Sequence, residues 1–164
     1  MNWLRRLFSS RPPAAADLEA ALADWRIVKV IGPTGGVVVL RLRINAPESS
    51  QGSDYATAVE VCWPYEPKED LPPADVNEQQ LKFERAVDEL TGENGYAELV
   101  LVSTGMGVKE WLFYTTSTDR FMASMNELLS GHQAYPLDIR FYADPGWSIW
   151  RGTVADVEQR GGDA

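Results

Sequence analysis

The segment from Tyr96 to Trp147 confines the fold of this 164-residue chain more than any other part of it. Two runs dense in β-branched and aromatic residues flank Gly105-Met106-Gly107, and so short a Gly-containing link fits an antiparallel hairpin. After the second run, Ser117 or Thr118 can cap a helix in which Phe121, Met122, Met125, Leu128 and Leu129 recur at helical spacing. Gly131 stops that helix, and a third strand, Leu137 to Ala143, follows it. Asp144-Pro145 then offers an N-cap and an N1 proline for a last helix with Trp147, Trp150, Val154 and Val157 on one side.

Upstream, Asp17 can cap a short helix with Leu18, Ala21, Leu22 and Trp25 on one face. Two strands are expected next, Arg26 to Ile31 and Val37 to Ile44, joined by the turn Gly32-Pro33-Thr34-Gly35-Gly36. That turn lacks the lysine and the following helix of a phosphate loop, so it reads as a plain hairpin. Tyr55 to Tyr65 alternates as a strand, with Tyr55, Thr57, Val59, Val61, Trp63 and Tyr65 on one face. Its other face carries the small residues Ala56, Ala58 and Cys62, which would let helices approach closely. Asp75 followed by Glu78 resembles a capping box, opening a helix to about Leu90 with Phe83, Ala86, Val87 and Leu90 inward. Glu84, Asp88 and Glu89, with Lys82 and Arg85, read as its solvated face.

From Tyr55 to Ala143 this gives the order βαββαβ. The expected fold is α+β: a ferredoxin-like antiparallel sheet with both helices on one face, extended by an N-terminal β-hairpin and a C-terminal helix. Right-handed crossovers place the first and third strands of the six elements together in the middle. The organisation is a basic tail and Pro/Ala linker over 1–16, one α+β domain over 17–160, and a loose C-terminus over 161–164.

The formal net charge is −9, and the first eleven residues hold Arg5, Arg6 and Arg11 without an acid, so the rest carries −12. So acidic a body repels phosphate backbones and argues against nucleic acid; it suits a basic protein surface. In the tail, Trp3, Leu4, Leu7 and Phe8 fall at helical spacing, but two turns bury too little to hold alone. Arg5 and Arg6 interrupt any signal-peptide core, and no apolar run reaches bilayer-spanning length. One cysteine, Cys62, excludes an intramolecular disulfide. A cytoplasmic location is expected.

The sequence carries little that could do catalytic chemistry. His132 stands alone at a helix end, where the dipole favours a cation, and no nucleophile elbow or paired cysteine motif accompanies it. One His and one Cys do not furnish a zinc site. Glu60, Glu98, Glu110 and Asp138 fall at strand positions and could converge on an open sheet face, where paired acids could do acid–base work or hold a hard cation. The strand Lys109 to Tyr114 is aromatic enough to suggest RNA stacking, but its glycines are missing and Glu110 interrupts it.

Trp111-x-Phe113-Tyr114-Thr115, followed by a helix and then Asp144-Pro145-x-Trp147, resembles the bacterial family called domain of unknown function 695. The likeness runs from about Tyr55 to Trp150 and includes Leu71-Pro72 and Thr104-Gly105. In some bacterial proteins such a domain is joined to one resembling RraB, an inhibitor of ribonuclease E. The resemblance implies a cytosolic bacterial protein without established activity, and it singles out Trp111, Phe113, Tyr114, Asp144 and Trp147 as candidate binding residues. The expected function is a non-enzymatic protein-interaction or regulatory module with an acidic surface, of inhibitor or immunity type as a special case, with no cofactor and no metal. The alternatives are a small carboxylate-based, metal-dependent enzyme and an RNA-binding domain. Nothing in the residues fixes an oligomeric state.

Overall fold

The computed structural model describes residues 23–51, 54–91 and 96–161. The apolar tail residues Trp3 to Phe8 and the expected helix from Asp17 through Leu22 lie outside them; Trp25, expected on that helix, belongs instead to a strand. Six strands form one antiparallel sheet: β1 (Trp25–Ile31), β2 (Val37–Arg43), β3 (Thr57–Pro64), β4 (Ala97–Gly105), β5 (Val108–Thr115) and β6 (Asp138–Ala143). Among the described residues three α-helices accompany them: α1 (Ala74–Val87), α2 (Thr118–Leu128) and α3 (Ser148–Gly161). The sheet order is β1-β2-β4-β5-β3-β6. Its last four strands have the ferredoxin-like arrangement, with β3 and β5 paired at the centre from Thr57↔Thr115 to Pro64↔Val108. The β1–β2 hairpin extends the sheet past β4.

The β4–β5 turn uses Met106 at φ 53° and Gly107 at φ 81°, the pair of left-handed residues that suits the right-handed strand twist. A Cβ at Gly105 would lie 2.4 Å from the Val37 carbonyl oxygen, so glycine is what lets β2 close against β4 there.

Strand alternation supplies the sheet with two apolar faces. On one, Val59, Val61, Trp63, Trp111 and Phe113 bury against Phe83 and Val87 of α1 and Phe121 and Met125 of α2. On the other, Leu42, Ala58, Leu112 and Tyr114 bury against Trp147, Trp150 and Val157 at α3. Full burial of each large side chain contributes about 1.5–3 kcal/mol, so both layers matter to stability. The two crossover helices therefore share one face, as expected, while α3 covers the opposite one. One expectation is reversed: the helices α1 and α2 pack on the large face of β3, and the small face, through Ala58, receives α3. The bulky side chains fill the gap beneath two helices; Ala58 makes room for the stacked rings of Tyr114 and Trp147.

Ser117 caps α2 as its sequence position predicts, its Oγ accepting from Arg120 N at 3.3 Å. Asp75 does not cap α1: Pro73 occupies that position, and Asp75 lies in the first turn, where it still complements the helix dipole. α3 runs to Gly161, and the rest of the C-terminus expected to be loose, 162–164, lies outside the described residues.

Glu84 is the largest departure from the expected solvated face of α1. It is buried, as is Asp88. Glu84 belongs to the same stripe as Gln80, Phe83 and Val87, all buried. Its Oε1 accepts from Trp111 Nε1 at 3.0 Å and Lys109 Nζ at 2.9 Å, and its Oε2 from Arg41 Nη2 at 3.2 Å. One carboxylate thus ties α1 to β5 and to the β1–β2 extension through β2. Burial alone would raise its pKa, but the charges of Arg41 and Lys109 and the hydrogen bonds of Lys109 and Trp111 outweigh it and hold the group below its usual range.

A carboxylate whose folded-state pKa is depressed contributes stability above its unfolded pKa, and that contribution disappears as pH falls through the folded value. Glu84→Gln leaves the buried Lys109 and the half-buried Arg41 facing a neutral amide and is expected to cost about 3 kcal/mol at neutral pH. The gap between the proteins should narrow as pH falls below about 4.5, the ordinary value for this group. Urea unfolding across that range measures both; a pH-independent gap would rule out this role for Glu84.

Candidate functional site

The five residues of the aromatic motif are all buried. Trp111 and Phe113 lie under α1 and α2; Trp111 contacts Phe83 edge-on at 4.9 Å between centroids, and Phe113 contacts Phe121 at 5.4 Å. Tyr114 points to the other face and stacks on Trp147, 4.0 Å apart and nearly parallel. No ring of this motif is available on the surface for a base to stack upon.

Asp144 joins β6 to α3. Its Oδ2 accepts from Tyr114 Oη at 2.6 Å and Ile149 N at 3.0 Å, and its Oδ1 accepts from Ser148 N at 2.8 Å and Ser148 Oγ at 2.7 Å. Burial opposes its charge, yet these donors together hold its pKa below the usual carboxylate range. The residue caps α3 as expected, but from four positions upstream. Pro145 is accordingly not the first helical residue, because the chain first turns at Trp147, with φ 57°. That turn aims the Trp147 ring inward, where its Nε1 donates to Tyr55 O at 2.9 Å. Trp150 Nε1 donates to Arg43 O at 2.9 Å, fastening α3 to the β2 end.

The apolar cluster beneath α3 reaches Ala58 and Leu112 and stops. Farther along the same face, strand register places Cys62 between Glu110 and Asp138, and Glu60 between Leu112 and Arg140. Three of the four strand carboxylates noted in the sequence therefore meet here: Glu60, Glu110 and Asp138. Glu98 does not join them; Arg43 Nη1 holds it at 2.9 Å.

Arg140 lies 3.7 Å from Glu60 Oε2 and also binds Asp138, while Tyr142 Oη donates to Glu60 Oε2 at 3.2 Å. Cys62 Sγ is 3.9 Å from Glu110 Oε1. Candidate ligand atoms of Glu60, Cys62 and Glu110 all lie within 4.8 Å of one another. Burial and then the charge of Glu60 raise the pKa of Glu110, while Cys62 and Arg140 lower it only in part. Burial, followed by Glu60 and Glu110, pushes the Cys62 thiol up to about 11. This buried cysteine is a protonated thiol in an electronegative setting.

A second concavity, about 390 Å³, opens between α1 and the segment after α2. All of its polar side chains but Asp75 are matched: Glu78 with Lys82 at 3.0 Å, Gln133 with Gln79 at 2.7 Å, and His132 Nδ1 with Tyr135 Oη at 2.8 Å. His132 thus has a local partner besides its place at the helix end. No helix among the described residues is long and apolar enough to cross a membrane.

The Glu84 network escaped the sequence reading, although Glu84 shares a helical stripe with Phe83 and Val87, and Lys109 alternates onto the face of Trp111. A model described as a family of unknown function (DUF695) matches residues 29–153, from within β1 to within α3. No match is found among curated proteins. Matched over well more than half its length, and with the aromatic motif packed at its centre, the chain belongs to the DUF695 family.

Proposed function

We propose that the chain is a non-enzymatic, cytosolic bacterial interaction module that engages a basic protein through the end of the sheet lying beyond α3. The supporting observation is a charge imbalance. Among the described residues, Glu60, Glu110 and Asp138 share one guanidinium, that of Arg140. An incoming lysine or arginine would relieve the repulsion between Glu60 and Glu110, so partner binding and proton binding compete at Glu110. Tyr142 of β6 is partly exposed on the same face beside these acids and supplies apolar contact area. An inhibitor or immunity-type protein that neutralises a basic enzyme would use such a surface.

A second reading rests on the spacing of Glu60, Cys62 and Glu110. Two carboxylates and a thiolate are a donor set that zinc accepts, leaving a position for water and thus for metal-assisted hydrolysis. In that case the chain would be a carboxylate-based, metal-dependent enzyme.

Capture from native bacterial lysate separates the two. The first reading expects basic proteins to be retained at low salt and released at high salt, with recovery falling about tenfold or more for Glu60→Lys/Glu110→Lys. Recovery of no partner, or capture indifferent to the reversal, would remove it. For the metal reading, the probe is thiol modification near pH 7.5. A pKa of about 11 leaves roughly a hundredfold less thiolate than the ordinary 9.0, so Cys62 should react slowly. Zinc should then release a proton and abolish the remaining reaction. No proton release on adding zinc would exclude the site.

A further inference from the structure

We propose that β1 is a docking edge for an extended acidic segment of a partner protein, added as a seventh strand antiparallel to β1. The inference is independent of the acidic sheet end, since β1 lies at the opposite edge of the sheet. Among the described residues β1 pairs only with β2, through seven uninterrupted positions from Trp25↔Arg43 to Ile31↔Val37. It has no bulge and no proline, so from Arg26 to Ile31 its outer side presents, among the described residues, the open N–H and C=O groups of a regular edge strand. Ile27 is 74% exposed and Ile31 61%, the two largest exposures among the large apolar residues of the described chain.

Charge identifies the occupant. On a protein of net charge −9, residues 25–43 contain Arg26, Lys29, Arg41 and Arg43 and no acid. Arg41 and Arg43 are bound to Glu84 and Glu98. Arg26 and Lys29 are exposed and have no ion-pair partner among the described residues. Cations on an edge strand ordinarily discourage pairing. A second copy of β1 would bring four of them to one seam without a counter-charge, so this edge opposes self-association. An acidic strand meets no such barrier.

The register fixes the pattern. Ile27 is opposite Arg41, which reaches α1, so Ile27, Lys29 and Ile31 share the α1 side, whereas Val28 packs toward the α3 side. An added antiparallel strand would place an apolar residue beside Ile31, an acid beside Lys29, apolar residues beside Val28 and Ile27, and an acid beside Arg26. The main-chain bonds supply affinity and the alternating side chains supply selectivity.

The probe is a fluorescent peptide reading Val-Thr-Glu-Val-Val-Glu, with a control carrying lysine for both glutamates. The full chain should bind the acidic peptide and not the control, and binding should slow hydrogen exchange at β1 amides. Arg26→Glu/Lys29→Glu should weaken the acidic peptide at least tenfold and gain the lysine peptide, which also shows that the variant is folded. Absence of binding, equal binding of both peptides, or protection elsewhere in the sheet would overturn the proposal. So would concentration-dependent protection of β1 in the free protein, which gives the edge to a second copy. Protection lost on removing residues 1–22 gives it to the chain's own N-terminus, with the same consequence.

Discussion

Strand β5 is the constraint on which the rest of the molecule depends. Its side chains alternate between two faces, and both are too apolar to leave in water. Trp111 and Phe113 demand a cover on one side, and Leu112 and Tyr114 demand one on the other. The βαββαβ path can supply helices to only one of those sides. The third helix is therefore a requirement of the sequence of β5, and the bond from Tyr114 to Asp144 is the point at which it is fastened. Because the carboxylate also caps α3, removing it would free both the helix start and the stack of Tyr114 on Trp147.

Neighbouring residues on β5 show how the same fold gives two carboxylates opposite environments. Lys109 points to the helical face and, with Arg41 and Trp111, holds Glu84 ionised in the interior. Glu110 points the other way, toward Glu60 and Cys62, where burial and like charge favour its protonated form. The first arrangement is internally complete and couples α1 to the β1–β2 extension. The second is short of positive charge at the surface, which is the physical basis for assigning it to a partner. At the far edge of the sheet the imbalance is reversed, with Arg26 and Lys29 exposed on an otherwise acidic protein.

The elements were legible because each carried a local signal. Alternation marked β3; runs dense in β-branched and aromatic residues marked β4 and β5; Ser117 marked the start of α2; and Gly105-Met106-Gly107 marked a turn that a tight hairpin satisfies. The pairing of β3 with β5 at the middle of the ferredoxin-like unit followed from connection rules rather than from any single residue. What failed was information about pairs. Small residues on β3 said that something approaches closely, but not which helix, and α3 took that place. Glu84 read as solvated because its partners are 43 residues earlier on β2 and 25 and 27 residues later on β5, beyond any local pattern. The meeting of Glu60, Glu110 and Asp138 could be raised from alternation, but only the register of three strands brings them together while sending Glu98 to Arg43.

The central claim is that Asp144 fastens α3 across the second face of a sheet whose first face is held independently by α1 and α2. Residue-resolved hydrogen exchange of Asp144→Ala tests it most directly. The account predicts that amides across Ser148 to Val157 lose protection while those of β3 and β5 keep theirs. Protection of α3 equal to that of the unsubstituted chain, or uniform loss across the sheet, would contradict it.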